Sequence, residues 1–161
     1  MKGNSNLEKE LVDFIMNNKD DFYRLAYGYV KNSNDAIDIL QDSIQKAISS
    51  KNNLKKEQSL KSWFYRIVIN TSLDFLRKQK RLVVVDEETI QSYSSGINDH
   101  YTNIDLERSL EALPPKYKSV IILRYFEDLK IEEVAEILKE SPNTIKTRLY
   151  KALELLRIKM N

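Results

Sequence analysis

The stretch Asp128-Leu129-Lys130-Ile131-Glu132-Glu133-Val134-Ala135-Glu136-Ile137-Leu138-Lys139-Glu140-Ser141-Pro142-Asn143-Thr144-Ile145-Lys146-Thr147-Arg148-Leu149-Tyr150-Lys151 decides how this chain is read. Ile131, Val134, Ala135 and Leu138 stand at i, i+3, i+4 and i+7, the spacing that lines up one face of a helix. Ile145, Leu149 and Ala152, continued by Leu153 and Leu156, mark a second helix. Between Leu138 and Ser141 there is room only for a sharp turn. Ser141 suits an N-cap, where a hydroxyl takes up an orphan backbone N–H. Pro142 suits the first helical position, where its missing N–H costs nothing. Two short helices around a tight break have the layout of a helix-turn-helix.

The outward face of the second helix carries Asn143, Thr144, Lys146, Thr147, Arg148 and Lys151, none of them acidic. Asn, Thr and Arg side chains can hydrogen-bond base edges in a major groove, and Lys can contact phosphate. A surface helical hairpin with a solvated basic face has the same layout.

Working outward, the 161 residues suffice for one domain or two small ones. A hydrophobic share of 42% supports real cores, and 31% charged residues demand a heavily charged surface. Three Gly and three Pro argue for long helices with few tight turns. The only β-branched run, Leu82-Val83-Val84-Val85, is too short to build a sheet, so an all-α chain is expected. With no cysteine, disulfides and Cys-based zinc sites are excluded. With His100 the only histidine, His-based metal sites and Ser-His or Cys-His catalysis are excluded too. No cofactor and no enzymatic chemistry are expected. No signal-peptide core or membrane-length apolar run is present, so a soluble, cytoplasmic protein is expected.

Net charge is only +2, but it is patterned. Lys51 to Arg81 holds nine basic against two acidic residues, or +7, and Leu82 to Glu111 holds one basic against seven acidic, or −6. From Lys139 onward the sign turns positive again. Two basic segments around an acidic one suggest two anionic contacts flanking a connector.

Periodicity predicts helices over 6–17, 20–31 and 34–49, the last capped by Ser33 or Asn34. The third helix has an apolar stripe of Ile37, Leu40, Ile44, Ala47 and Ile48. Its other face carries Asp35, Asp38, Gln41, Asp42 and Gln45: acids that complement the N-terminal helix dipole, or a docking surface for a basic partner. Residues 50–58 read as a polar loop, and Ser59 can cap a fourth helix over 59–80. Leu60, Trp63, Phe64, Ile67, Val68, Thr71 and Phe75 make a stripe on it that is wider than one core needs. Trp63 is either core or an aromatic able to stack on an unpaired base beside Lys61, Arg66, Asn70, Arg77 and Lys78. Residues 82–104 lack a sustained apolar period and read as an acidic, flexible linker, with His100 in it. Asp105 can cap a helix with Leu106, Leu110 and Leu113. Pro114-Pro115 ends that helix and starts another, carried by Tyr117, Val120, Ile121, Leu123 and Tyr125 to about 126.

These segments together resemble the extracytoplasmic-function (ECF) sigma factors of bacterial RNA polymerase, over residues 7 to about 158. Asp35-Ala36-Ile37-Asp38-Ile39-Leu40-Gln41-Asp42-Ser43 is similar to the family's polymerase-docking helix. Trp63 through Arg81 is similar to its promoter-melting and −10 segment. Leu113-Pro114-Pro115-Lys116-Tyr117, Leu123-Arg124-Tyr125-Phe126 and the helix-turn-helix are similar to its −35 domain.

The resemblance implies two four-helix domains: sigma domain 2 over 1–81 and sigma domain 4 over 105–161, joined by the linker 82–104. Core polymerase would be bound by Asp35, Asp38, Gln41 and Asp42. Contacts to −10 DNA would come from Asn53, Lys55 and Lys56 in the loop and from Trp63, Arg66, Asn70, Asp74, Arg77 and Lys78. The −35 duplex would be contacted by Ser141, Asn143, Thr144, Lys146, Thr147, Arg148 and Lys151. Promoter-specific initiation, with catalysis left to polymerase, and control by a membrane-anchored anti-sigma factor are what the family implies. A stand-alone helix-turn-helix regulator of duplex DNA is the competing class, against which the docking-helix motif and the two basic patches count. The sequence departs from the family at Ile37, where a small residue or Glu is usual, at Lys139, where the turn usually has Gly, and at Pro142-Asn143.

Overall fold

The computed structural model describes residues 2–54, 59–85 and 108–160; among these the secondary structure is helical. Helices α1 (Lys2–Asn17), α2 (Lys19–Val30), α3 (Ser33–Ser49) and α4 (Leu60–Val85) form an N-terminal group. A C-terminal group follows: α5 at 108–112, α6 (Pro115–Ile121) running into a π-helical turn (Ile122–Phe126), α7 (Ile131–Leu138) and α8 (Pro142–Met160). The expected all-α architecture of two helical units is what the chain adopts.

In the N-terminal group Leu11 and Ile15 of α1, and Phe22, Leu25, Ala26 and Tyr29 of α2, are buried. Phe22 sits at the centre, its ring 5.7 Å from Phe14, 4.6 Å from Phe64 and 4.9 Å from Tyr65, the last two edge-on. Edge-to-face contacts bring the positive ring rim onto a negative face and add to the area term. Helix α2 ends at Lys31 in the left-handed conformation, φ 55°.

Helix α3 begins one residue earlier than its spacing predicts. Asn32, and not Ser33 or Asn34, is the cap, its Oδ1 accepting from the Asp35 N–H at 2.9 Å. The buried face is also turned by one position. Ala36, Ile39, Ser43 and Ala47 are inside, Leu40, Ile44 and Ile48 are half-buried, and Ile37 is 42% exposed. Small Ala and Ser side chains let α2 and α4 approach closely, and the Ser43 hydroxyl is satisfied locally by Ile39 O at 2.7 Å. Residues 51–53, read as loop, form a short 3₁₀ turn that Lys51 pins to Glu8 of α1 at 2.6 Å. Helix α4 runs to Val85, four residues into the segment read as linker. The rest of that linker, with His100, lies outside the described residues, as do the expected cap Asp105 and Lys55 and Lys56.

The C-terminal group is built around Val120, Leu123, Val134, Ile145 and Ala152, all 0% exposed. Pro114 occupies the N-cap position and Pro115 starts α6, as read. In the π turn, Glu127 N–H reaches back to Ile122 O at 2.9 Å and Leu129 N–H to Leu123 O at 3.1 Å. This wider turn swings Tyr125 out to 53% exposure and Glu127 in.

The two groups also pack against each other. Helix α4 contacts α7, and α2 contacts the π turn. Excess width in the α4 stripe is explained here: Tyr65 and Ile69 are buried along with Trp63, Phe64 and Val68.

Candidate nucleic-acid and polymerase interfaces

The helix-turn-helix assembles as the spacing predicts. Helix α7 ends at Lys139 in the left-handed conformation, φ 56°, ψ 47°, where the family usually has Gly. Its N–H still closes the turn onto Ala135 and Glu136 carbonyls. Ser141 Oγ accepts from Thr144 N–H at 3.1 Å and pairs with Thr144 Oγ1 at 2.9 Å, so it caps α8. Asn143, Lys146, Thr147 and Lys151 are exposed along α8 and Thr144 is half-buried. Arg148 is half-buried, its Nη2 3.0 Å from Glu140 Oε1. That ion pair orients the guanidinium beside the start of α8.

Asn143, Thr144, Thr147, Arg148 and Lys151 border an open groove of about 500 Å³, closed on its far side by Lys116 and Tyr117 of α6. Sequence reasoning had placed Lys116 and Tyr117 in the family motif without a contact role. Their place in the groove is a product of α6 packing on α8 and leaves no local signal. The Lys116 ammonium lies 5.0 Å from the Tyr117 ring centroid, a cation–π distance that holds the charge at the groove wall.

On α3, Asp38, Gln41 and Asp42 are exposed and Asp35 is half-buried. Ile37, exposed beside them, adds an apolar side chain to this acidic face. Lys46 pairs with Asp42 at 3.4 Å and donates to Thr71 Oγ1 at 3.2 Å, tying the face to α4. A groove of about 240 Å³ runs between the two helices, lined by Asp38, Asp42, Lys46, Thr71, Asp74 and Lys78 among others. Asp74, expected with the −10 residues, therefore stands beside the docking acids, paired with Arg77.

The remaining residues of α4 divide. Asn70, Arg77 and Lys78 are exposed, as are Lys80 and Arg81, and Asn53 is exposed on the 3₁₀ turn. Trp63 is 7% exposed: its ring is core, which excludes base stacking in this conformation. Arg66 is turned toward the C-terminal group. Its Nε donates to Ile137 O at 2.9 Å and its Nη2 to Glu136 O at 3.0 Å. These carbonyls lie in the last turn of α7, where the Glu136 oxygen is otherwise met only by the Lys139 N–H at 3.4 Å, so a cation is favoured there.

Further polar contacts join the two groups. Glu127, its side chain 0% exposed, accepts from Arg24 Nε at 3.1 Å and Arg24 Nη2 at 3.4 Å, and from the Tyr65 hydroxyl at 3.4 Å. Burial holds the Glu127 carboxyl above the usual range, with Arg24 pulling the other way. Tyr29 and Ser119 hydroxyls meet at 2.7 Å, fully buried. Burial raises the Tyr29 and Tyr65 phenols. Lys118, also buried and lowered by desolvation, sits 5.9 Å from the Tyr29 ring centroid. Lys61 pairs with Glu133 at 3.1 Å at the rim.

A helix-turn-helix with a basic, groove-facing helix, joined to a helical unit with an acidic face and a basic long helix, defines a bipartite helical DNA-binding protein. Residues 14–82 match the family model described as Sigma-70 region 2, and residues 104–156 match Sigma-70, region 4. The chain is 53% identical over 160 residues to the RNA polymerase sigma factor SigV of Bacillus subtilis, spanning 99% of this chain and 96% of that one. It is 31% identical over 171 residues to the ECF RNA polymerase sigma factor SigW of the same organism, spanning 97% and 90%. The chain belongs to the ECF sigma factors. Its fold matches the sigma factor RpoE solved with the anti-sigma factor NepR from Bartonella quintana, TM-score 0.66 at 22% identity over 94% and 97% of the two chains. It also matches CnrH solved with the cytosolic domain of CnrY, TM-score 0.68 at 16% identity over 96% and 92%.

Proposed function

We propose that this ECF sigma factor divides its work among three surfaces. The exposed Asp38, Gln41 and Asp42 face, with Asp35 at its edge and Ile37 beside it, docks on a basic and apolar surface of core polymerase. The polar face of α4, with Arg66, Asn70, Arg77 and Lys78, and Asn53 on the 3₁₀ turn position a melted −10 strand. The α8 groove reads the −35 duplex.

One observation carries this reading: the groove on α8 is lined by Asn143, Thr144, Thr147, Arg148 and Lys151 with Lys116 opposite, and no carboxylate lines it. That composition matches a duplex, whose base edges are read by Asn, Thr and Arg and whose phosphates are held by Lys. Exposed Arg77, Lys78, Lys80 and Arg81 then supply a second, sequence-independent and salt-sensitive contact. Domain 2 spans 1–81 and domain 4 spans 105–161 in this division of labour.

An anti-sigma factor is the proposed regulator, since the proteins RpoE and CnrH, which share the fold, were solved with one. Membrane anchoring of that regulator is part of the proposal. The sigma factor itself would act in the cytoplasm; none of its described helices is long and apolar enough to cross a membrane.

The deciding experiment is reconstitution. Core polymerase with this chain is expected to initiate from promoters selected out of a random duplex pool, and core polymerase alone is not. If the chain neither co-purifies with core nor supports initiation at any selected promoter, the reading fails.

A further inference from the structure

We infer that Asp74 is a polymerase contact, and that the groove between α3 and α4 takes up an arginine side chain of core polymerase. This rests on the reading that the acidic face of α3 docks on core.

The family pattern put Asp74 with the −10 residues, but its surroundings point the other way. Across a groove of about 240 Å³ it faces Asp38 and Asp42, which belong to the exposed acidic face of α3. That face therefore does not stop at the edge of α3; it turns into the groove and ends on α4. The two grooves described above have opposite composition. Here carboxylates stand on both walls, three of them against the ammonium groups of Lys46 and Lys78. The α8 groove is lined by none. A phosphate entering between α3 and α4 would meet negative charge from both helices, and like-charge contacts of that kind are costly. A cation would be drawn in.

The floor narrows the choice of cation. Ile39 and Thr71 line it buried, and Phe75 half-buried. The Thr71 hydroxyl donates its only proton to Ile67 O at 2.7 Å, so it can serve the groove only as an acceptor. Lys46 uses it in that way, its Nζ 3.2 Å from Thr71 Oγ1 and 3.4 Å from Asp42 Oδ2. One cation is thus already seated against Asp42. Among the described residues no ion pair reaches Asp38, and the ion pair of Asp74 is with Arg77 of its own helix, one turn on and exposed. A guanidinium fits the space between them. It is flat and weakly hydrated, can lie against the Phe75 ring, and directs a fork of N–H donors to carboxylates on two walls at once. A second lysine would bring one compact, strongly hydrated charge and no planar face.

The chain contains no cysteine, so position 74 can carry a single probe. Asp74→Cys labelled with a benzophenone maleimide is assembled with excess core polymerase on a selected promoter and irradiated. The label is expected to couple to a polymerase subunit. Coupling to the −10 strand instead, or to neither, overturns the inference. Asp74→Asn keeps the shape and removes the charge; it is expected to weaken core binding roughly tenfold, and Asp74→Glu to recover most of the loss. Melting temperature and −35 duplex binding of the free chain show that each variant is folded. Core binding by Asp74→Asn equal to that of the wild type overturns the inference. Within the coupled polymerase segment, replacing the contacted arginine by alanine is expected to erase the difference between the wild type and Asp74→Asn, and lysine there is not expected to restore it. A segment in which no arginine behaves in this way overturns the choice of cation. Asp38→Arg keeps the docking reading separate. If it abolishes core binding while Asp74→Asn is silent, α3 docks without the groove; if it too is silent, the docking reading itself falls.

Discussion

Arg66 and Ile137 lie 71 positions apart in the chain and meet through a 2.9 Å hydrogen bond from the Arg66 Nε to the Ile137 carbonyl. The bond joins a residue of the proposed −10 surface to the end of the helix that precedes the −35 reader. It explains why Arg66 is half-buried while Asn70, Arg77 and Lys78 on the same helix are exposed. Helix ends offer carbonyls with acceptor capacity to spare, and the Arg66 guanidinium fork meets two of them at once.

The carboxyl of Glu127 should make stability depend on pH. Burial raises its pKa, while Arg24 and the Tyr65 hydroxyl lower it and Asp21 raises it further. The folded state therefore holds the proton to higher pH than the unfolded state does. The linked stability is full below the unfolded value of about 4.3 and is lost as pH rises through the folded one. Glu127→Gln cannot deprotonate. Its melting temperature minus that of the wild type should become more positive between about pH 4 and about pH 7. A difference that stays flat or falls would contradict the raised carboxyl.

Ser141 separates capping from DNA contact. Ser141→Ala removes the acceptor for the Thr144 N–H and should cost about 1 kcal/mol in thermal or urea unfolding. Ser141→Asp keeps an acceptor at the cap but adds a negative charge beside the groove. Stability should be retained while −35 duplex binding weakens. Equal binding by the aspartate variant would place Ser141 outside the interface.

Arg148 and Lys116 should differ in kind. Arg148→Ala should lower −35 duplex affinity by about 1–3 kcal/mol and relax base preference at one position. Lys116→Ala should weaken binding uniformly across sequences and reduce the salt slope by about one. Filter binding or anisotropy over a salt series tells the two apart. Core polymerase binding should be untouched by either.

Asp38→Arg tests the docking face. The side chain is exposed, so the fold should tolerate the change. Pull-down of core polymerase should fail while −35 duplex binding is retained. A loss of duplex binding with core binding intact would reverse the assignment.

Lys139→Gly should stabilise the helix-turn-helix. A non-glycine residue at φ 56° carries a left-handed cost of about 1–2 kcal/mol, partly offset because glycine has more freedom to lose on folding. A net gain of roughly 0.5–1 kcal/mol is expected in chemical denaturation, with −35 binding unchanged.

Much of this was written locally. Helical stripes, the Pro114-Pro115 break and the Ser141-Pro142 start are short-range features, and the residues that carry them are neighbours along one helix. The outward basic face of α8 follows from the same period. Where local reasoning slipped, it slipped by small rotations. On α3 the inward face is Ala36, Ile39, Ser43 and Ala47, and hydropathy preferred the bulkier Ile37. Close packing of α2 and α4 selects small residues there, and that choice is not visible from α3 alone. Asn32 took the cap from its two polar neighbours for a similar reason: several residues in a row could accept, and the entry path of the chain chose.

The sequence by itself determined an all-α chain, its helix-turn-helix and its segregated charges, because period, caps and charge order act within a few residues; its motifs carried the resemblance to the ECF sigma factors. Only the tertiary structure decided the fate of Trp63, Arg66 and Glu127. Trp63 is core, 7% exposed, on a helix that packs against α2, α3 and α7. Arg66 was drawn to carbonyls 70 and 71 residues away, and Glu127 was buried against Arg24, 103 residues away. Such pairings are set by which helix faces meet, and no spacing along the chain records them.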